Sequence, residues 1–301
     1  MPKKRVIVEI NGGLGNQLFQ IAHGLSLVQA DQRRLLVDLS RLRSRSRRGT
    51  HRNYELGGFS FDIQEASKRE LAIFHAINTL DIYPRITAQV KSTFSTKTRA
   101  FRVEDSPTYR DHGKLTAETT YVQGYWQSAQ YFESIAQKLR KFLRPSSSVL
   151  NPRYQRMLQD ISSGHNLCVH VRRGDYANNG GENVHGLMGV SYYSDAVRLI
   201  RERHDVDKIY IFSDEPDWCR QNLRLDRDQV VVDQWYARFG IVPYINLMAA
   251  ASLFVIPNST FGWWASWLSG EKRQETVAPA KWFRDPTRDT SDLVPVEWTR
   301  I

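Results

Sequence analysis

The chain has 301 residues, 41% of them hydrophobic and 11% aromatic, which supports one large domain or two of ordinary size and excludes a disordered or fibrous protein. Its formal charge is +10, carried mainly by arginine (31 Arg against 11 Lys), the cation that favours planar, bidentate oxyanions. Two cysteines, Cys168 and Cys219, show no metal or disulfide spacing, and the longest mainly apolar stretch, residues 247–256, is too short to cross a bilayer.

Residues 1–10 are basic and then briefly apolar, but Glu9 interrupts the run and no cleavage-like segment follows, so a signal peptide is not expected. The expectation is a cytoplasmic protein with reduced thiols, whose basic face allows peripheral contact with an anionic membrane. Residues 6–10 read as a strand, 16–29 as a helix with Leu18, Ile21, Ala22, Leu25 and Val28 at helical spacing, and 35–38 as a second strand. This strand–turn–helix–strand start predicts a parallel sheet. Arginines at 41, 43, 45, 47, 48 and 52 stand among Ser, Gly and Thr and read as a loop. No aromatic stacking platform is interleaved, so nucleic acid is not the expected partner.

The middle of the chain has one helical segment near 68–77, a strand over 121–126 and a helix over 129–142, before a Pro-Ser-Ser-Ser linker at 145–148. The remainder alternates. Strands are predicted at 167–172, 209–213, 230–232, 253–256 and 276–278, and helices at 193–204, 244–252 and 261–268. That alternation predicts two Rossmann-like α/β units, residues 1–150 and 151–301.

Five segments carry candidate chemistry. Gly12-Gly13-Leu14-Gly15-Asn16-Gln17 follows the first strand, where bare backbone and a helix N-terminus admit an anion. The turn resembles a dinucleotide fingerprint with Leu18 at the third glycine and Asp38 near a ribose-binding position. Nicotinamide binding and a plain tight turn therefore both remain open readings. His170-Val171-Arg172-Arg173-Gly174-Asp175 ends another strand, with His170 and Arg172 on the face opposite Val169 and Val171. Two adjacent arginines allow one to meet a ligand while the other pairs with Asp175 or another carboxylate.

Asp214 ends a third strand, as a nucleoside contact or as a turn cap. Ser259 or Thr260 caps the helix that begins near Phe261, where exposed N–H groups suit a phosphate. Tyr125, Trp126 and Gln127 follow the strand that closes the first half, as a sugar platform or as aromatic core.

Taken together, Gly12–Gln20, Gly124–Ser128, His170–Tyr176, Phe212–Asp214 and Asn258–Trp264 resemble, in order, the motifs of glycosyltransferase family 11, the α-1,2-fucosyltransferases. The resemblance implies a GT-B-like fold, two Rossmann-like domains with a cleft between them. It implies GDP-fucose as donor co-substrate, a galactoside-terminated glycan as acceptor, inversion at the anomeric carbon and neither metal nor further cofactor. A microbial surface polysaccharide is the implied product.

The C-terminal domain would then hold the donor through His170, Arg172, Arg173, Asp214, Ser259, Thr260 and Phe261, closed by Gly13, Gly15 and Asn16 from the N-terminal domain. Gln17, Asp38, Tyr125, Trp126 and Gln127 would serve the acceptor, and Arg172, Asp175 and His185 the chemistry. The general base is left open among Asp175, Glu182, His185, His23 and Asp38, with no base at all as the alternative for an advanced carbocation.

Overall fold

The computed structural model describes residues 4–43, 52–59, 63–79, 95–144, 151–174 and 186–301. The chain divides into an N-terminal unit that ends at Leu139 and recruits Ser291–Leu293, and a C-terminal unit that begins at Arg140. The expected boundary near residue 150 lies outside the described residues.

In the N-terminal unit the strands are β1 (Arg5–Glu9), β2 (Arg34–Asp38), β3 (Gln64–Glu65), β4 (Arg99–Val103) and β5 (Thr119–Gln123). The helices are α1 (Leu14–Asp31), the short α2 (Ser40–Arg43) and α3 (Lys68–Thr79). The strands pair in parallel in the order β3-β2-β1-β5-β4. Val6, Ile7 and Val8 are all buried, the continuous burial that a parallel sheet covered on both faces imposes. Phe74, Phe101 and Tyr121 pack ring against ring on one face, with centroids 5.0 to 5.6 Å apart.

The fingerprint's missing third glycine has a substitute further along α1. A Cβ on Gly24 would lie 2.7 Å from Val8 Cγ2 and 3.0 Å from Leu35 Cδ1, so helix and sheet meet there at backbone distance. Gly24→Ala should lower stability by about 1–3 kcal/mol in chemical denaturation, although alanine is the better helix former, because stiff Val8 must yield. Unchanged or raised stability would contradict this packing.

The chain passes from one unit to the next through α4 (Ala136–Phe142). The helix expected over 129–142 is divided: 3-10 turns at Ala129–Tyr131 and Glu133–Ile135 precede it, and Phe132, at φ −138° and ψ 12°, breaks the run. The C-terminal unit holds α5 (Pro152–Ser162), β6 (Leu167–Val171), α6 (Val190–Arg203), β7 (Ile209–Ser213), α7 (Pro216–Asn222), β8 (Val230–Val231), α8 (Ile241–Met248), β9 (Leu253–Val255), α9 (Thr260–Ser269), β10 (Glu275–Ala278) and β11 (Thr299–Arg300).

Helix α5 was not expected from the sequence, yet its start is local chemistry: Asn151 Oδ1 accepts the Arg153 N–H at 2.9 Å and Pro152 occupies the first turn. The sheet is parallel throughout, ordered β11-β10-β9-β6-β7-β8. No described helix is long and apolar enough to cross a membrane.

Candidate active site

Strand order decides where a ligand can sit. In each sheet the first strand has a later strand on one side and its own successor on the other, so the connections leave in opposite directions. A crevice opens there, at the carboxyl ends. In the C-terminal unit this switch point falls between β6 and β9. His170-Val171-Arg172-Arg173-Gly174 leaves the end of β6, and Asn258-Ser259-Thr260-Phe261 leaves β9. In the N-terminal unit it falls between β1 and β5. There Gly12–Gln17 follows one strand and Gly124–Ser128 the other. Four of the five motifs thus flank two switch points.

At the C-terminal switch point Asp214 organises the turn after β6. Its carboxylate accepts the N–H groups of Arg173 and Gly174, each at 3.0 Å, and faces Arg172 Nη1 at 3.0 Å. The Asp214 oxygens thus hold the turn and brace Arg172, and the carboxylate is partly exposed. A Cβ on Gly174 would stand 3.0 Å from Asp214 Oδ2, which explains glycine in that turn.

Arg173 lies over the Trp218 ring at 3.7 Å and reaches Glu215 at 3.4 Å. The expected division of labour is corrected in one respect: both arginines have carboxylate partners, Asp214 and Glu215. Neither Glu215 nor Trp218 was singled out from the sequence, though both stand within five residues of Asp214.

His170 is buried and packs on Phe261 with centroids 5.6 Å apart. Burial, helped by the nearby Arg172 charge, lowers its pKa to about 3, so the imidazole is neutral. Its Nδ1 has no hydrogen-bond partner. A Cβ on Gly262 would come within 2.6 Å of that nitrogen, so only glycine lets the first turn of α9 approach β6 so closely. Ser259 caps α9 without a side-chain hydrogen bond, which leaves the leading N–H groups and the positive dipole end available to an anion.

At the N-terminal switch point, hydrogen bonds span the two strands' turns: Gln127 Nε2 donates to Asn16 Oδ1 at 2.9 Å and Asn11 Nδ2 to Tyr125 Oη at 3.2 Å. Gly12 has φ +79°, and a Cβ there would strike Asn16. Gln17 is buried and acts as a staple, donating to Gly12 O and Asn53 O at 2.8 Å and accepting the Glu55 N–H at 3.0 Å. Trp126 is fully buried and stacks on His23 at 4.3 Å, its φ of +57° held by Glu104, which accepts the Tyr125 and Trp126 N–H groups.

Of the residues expected at the acceptor, Gln17 and Trp126 are enclosed within the fold, whereas Tyr125 is 41% exposed. Asp38 is likewise enclosed, accepting from Tyr121 Oη at 2.7 Å and Ser40 N at 2.9 Å and meeting His75 Nε2 at 2.6 Å. Burial pushes its carboxyl up, but the hydrogen bonds from His75, Ser40 and Tyr121 outweigh it and hold the pKa below the usual value. Glu9 completes this edge, near Tyr121 at 3.3 Å and Arg41 at 3.0 Å. The sequence reading did not single out Glu9 for this edge, although a carboxylate ending the first strand was the available signal. As candidate bases, His23 and Asp38 are removed from solvent; Asp175, Glu182 and His185 lie outside the described residues.

Comparisons with known proteins agree with this geometry. The model of glycosyl transferase family 11 matches residues 5–301. An α-1,2-colitosyltransferase of Escherichia coli is 29% identical, over 98% of this chain and 98% of that protein. A galactoside 2-α-L-fucosyltransferase of Caenorhabditis elegans is 31% identical over 56% of this chain and 46% of its own length. Among solved structures, the α-1,6-fucosyltransferase NodZ, soaked with GDP-fucose, superposes with a TM-score of 0.53 at 15% identity, covering 88% of this chain and 92% of that one. That likeness carries the GT-B-like fold class, and the nicotinamide reading of the glycine-rich turn falls away. Two parallel-sheet α/β units whose switch points are lined by these motifs, matched end to end by one family model, make this chain a member of glycosyl transferase family 11.

Proposed function

We propose that the chain transfers L-fucose from GDP-fucose to the 2-hydroxyl of a terminal galactoside, giving an α-1,2 linkage with inversion and without a metal ion. The observation that carries this reading is Arg172, braced by Asp214 at 3.0 Å beside the uncapped start of α9. As the bond to the anomeric carbon breaks, negative charge grows on the β-phosphate. A permanent guanidinium charge and preorganised N–H groups meet that charge without solvent rearrangement. His170 and Phe261 would border the donor on the same side, with Ser259 and Thr260 at the phosphates. Gly13, Gly15 and Asn16 would contribute to donor binding, and Tyr125 and Gln127 would serve the acceptor. The relatives named as an α-1,2-colitosyltransferase and a galactoside 2-α-L-fucosyltransferase support the regiochemistry.

A second reading is another GDP-deoxysugar donor, favoured by the relative named as a colitosyltransferase. Thermal shift with GDP, GDP-fucose, UDP and NAD, followed by labelled transfer onto an array of galactosides with and without chelator, tests both. GDP and GDP-fucose should raise the melting temperature, UDP and NAD should not, and transfer should survive chelation. Stabilisation by NAD, or transfer that requires Mg²⁺ or Mn²⁺, would overturn the reading. Stabilisation by GDP without fucose transfer would select the second one.

A further inference from the structure

A separate cavity of about 370 Å³ lies in the N-terminal unit beside the edge strand β4. That is within the range of small-molecule sites, about 300–1,000 Å³. Its polar lining includes Arg102, His112, Lys114 and Thr120. Arg102 spends one terminal nitrogen on the carbonyls of His112 and Gly113, at 3.1 and 2.9 Å, and among the described residues makes no ion pair. Burial lowers its pKa, with Asp111 acting in the opposite direction and Arg33 adding repulsion. A partly buried guanidinium that has no carboxylate within ion-pair distance among the described residues, Asp111 acting on it only from farther away, gains from a bound anion. Lys114 adds a second, exposed cation. Asp105 also lines the space but is paired with Arg110 at 3.3 Å.

Two neutral groups complete the lining. Thr120 is only 2% exposed, yet its hydroxyl has no hydrogen-bond partner, and neither has His112 Nε2. Burial lowers the His112 pKa, so the imidazole offers a neutral donor or acceptor. Buried hydroxyls without partners are rare and mark a place where a polar ligand or water belongs. Cations for an oxyanion, with a hydroxyl and an imidazole for ring hydroxyls, describe one chemistry. We propose that this cavity binds a small hydroxylated anion, a sugar acid or sugar phosphate, at a site distinct from the switch-point motifs.

The test is calorimetric titration of the full chain with D-glucuronate, D-glucose 6-phosphate and D-glucose. At least one of the two acidic sugars should bind with a dissociation constant tighter than about 1 mM and glucose should not; the stronger of the two identifies carboxylate or phosphate as the preferred group. Lys114→Ala, an exposed change that leaves the fold intact, should weaken binding about tenfold. Arg102→Gln should abolish it, with circular dichroism checking that the 112–113 turn survives. Arg172→Ala should leave binding unchanged, which separates this site from the donor site and keeps the result independent of the proposed transfer. Equal binding of glucose, no binding of either acid, indifference to Lys114→Ala, or loss in Arg172→Ala would each overturn the proposal.

Discussion

Arg172→Ala should reduce transfer by about 10²–10³ or more while leaving the melting temperature of the unliganded protein nearly unchanged. The rate effect follows from charge. The side chain is partly exposed at the switch point and carries the cation proposed to meet the leaving diphosphate, while the adjacent Arg173 lies over Trp218 and pairs with Glu215. The small stability effect follows from what Asp214 retains: its two backbone hydrogen bonds, at 3.0 Å each, persist without Arg172. Lysine at this position should recover little activity, because an ammonium lacks the planar fork that grips phosphate and braces on a carboxylate together. Asp214→Ala should behave differently. It releases the turn at Arg173 and Gly174 as well as the guanidinium, so activity and melting temperature fall together. Transfer at the wild-type rate by Arg172→Ala would remove the basis of the proposed function.

Stability should decline as pH falls below about 6.5, well before carboxylates titrate. His23 and His170 are both buried, and burial above all lowers each to about 3 from the ordinary 6.5. Between those values the unfolded chain holds a proton on each imidazole and the folded chain does not. The unfolded state binds more protons, so stability rises with pH through this window and falls as pH drops through it. Each histidine contributes a slope that approaches about 1.4 kcal/mol per pH unit below 6.5 and fades above it. Asp38, lowered by its hydrogen bonds, acts only in a separate window: its stabilisation is present above the ordinary carboxylate value of 3.8 and is lost as pH falls through its folded value. Melting curves from pH 7.5 to pH 5 measure the histidine slope. His23→Phe keeps the stack on Trp126 and removes one titration, so its curve should be shallower, with His170 and the more weakly lowered His112 still contributing. A melting temperature constant over that range, or a slope unchanged by His23→Phe, would contradict the buried, neutral assignment.

Some features were legible because they are local. A glycine-rich turn after an apolar run marks a strand's end and a helix's beginning wherever it lies, so residues 6–29 and 167–172 are readable without partners. Four motifs at the carboxyl ends of strands followed from the same periodicity. What was missed was decided by distant neighbours. Strand β4 has a polar, half-buried pattern, and only pairing with β5 and the rings of Phe74 and Tyr121 make Phe101 part of a core.

The sequence by itself determined two α/β units, the parallel sheets, the strand-end motifs and, through their order, the family. Tertiary structure alone decided which polar residues beside the strand ends are enclosed. Asn16, Gln17, Asp38 and Trp126 look equivalent as sequence, each polar or aromatic beside a strand end. Burial separates them: Gln17 and Asp38 find all their partners inside the fold, and Trp126 is covered by His23. Strand order, too, is a property of pairing rather than of any segment, and it alone set β6 beside β9 and β1 beside β5. The reason is physical: a period of two or 3.6 residues reports which face is apolar, whereas desolvation and hydrogen-bond closure depend on what packs against it.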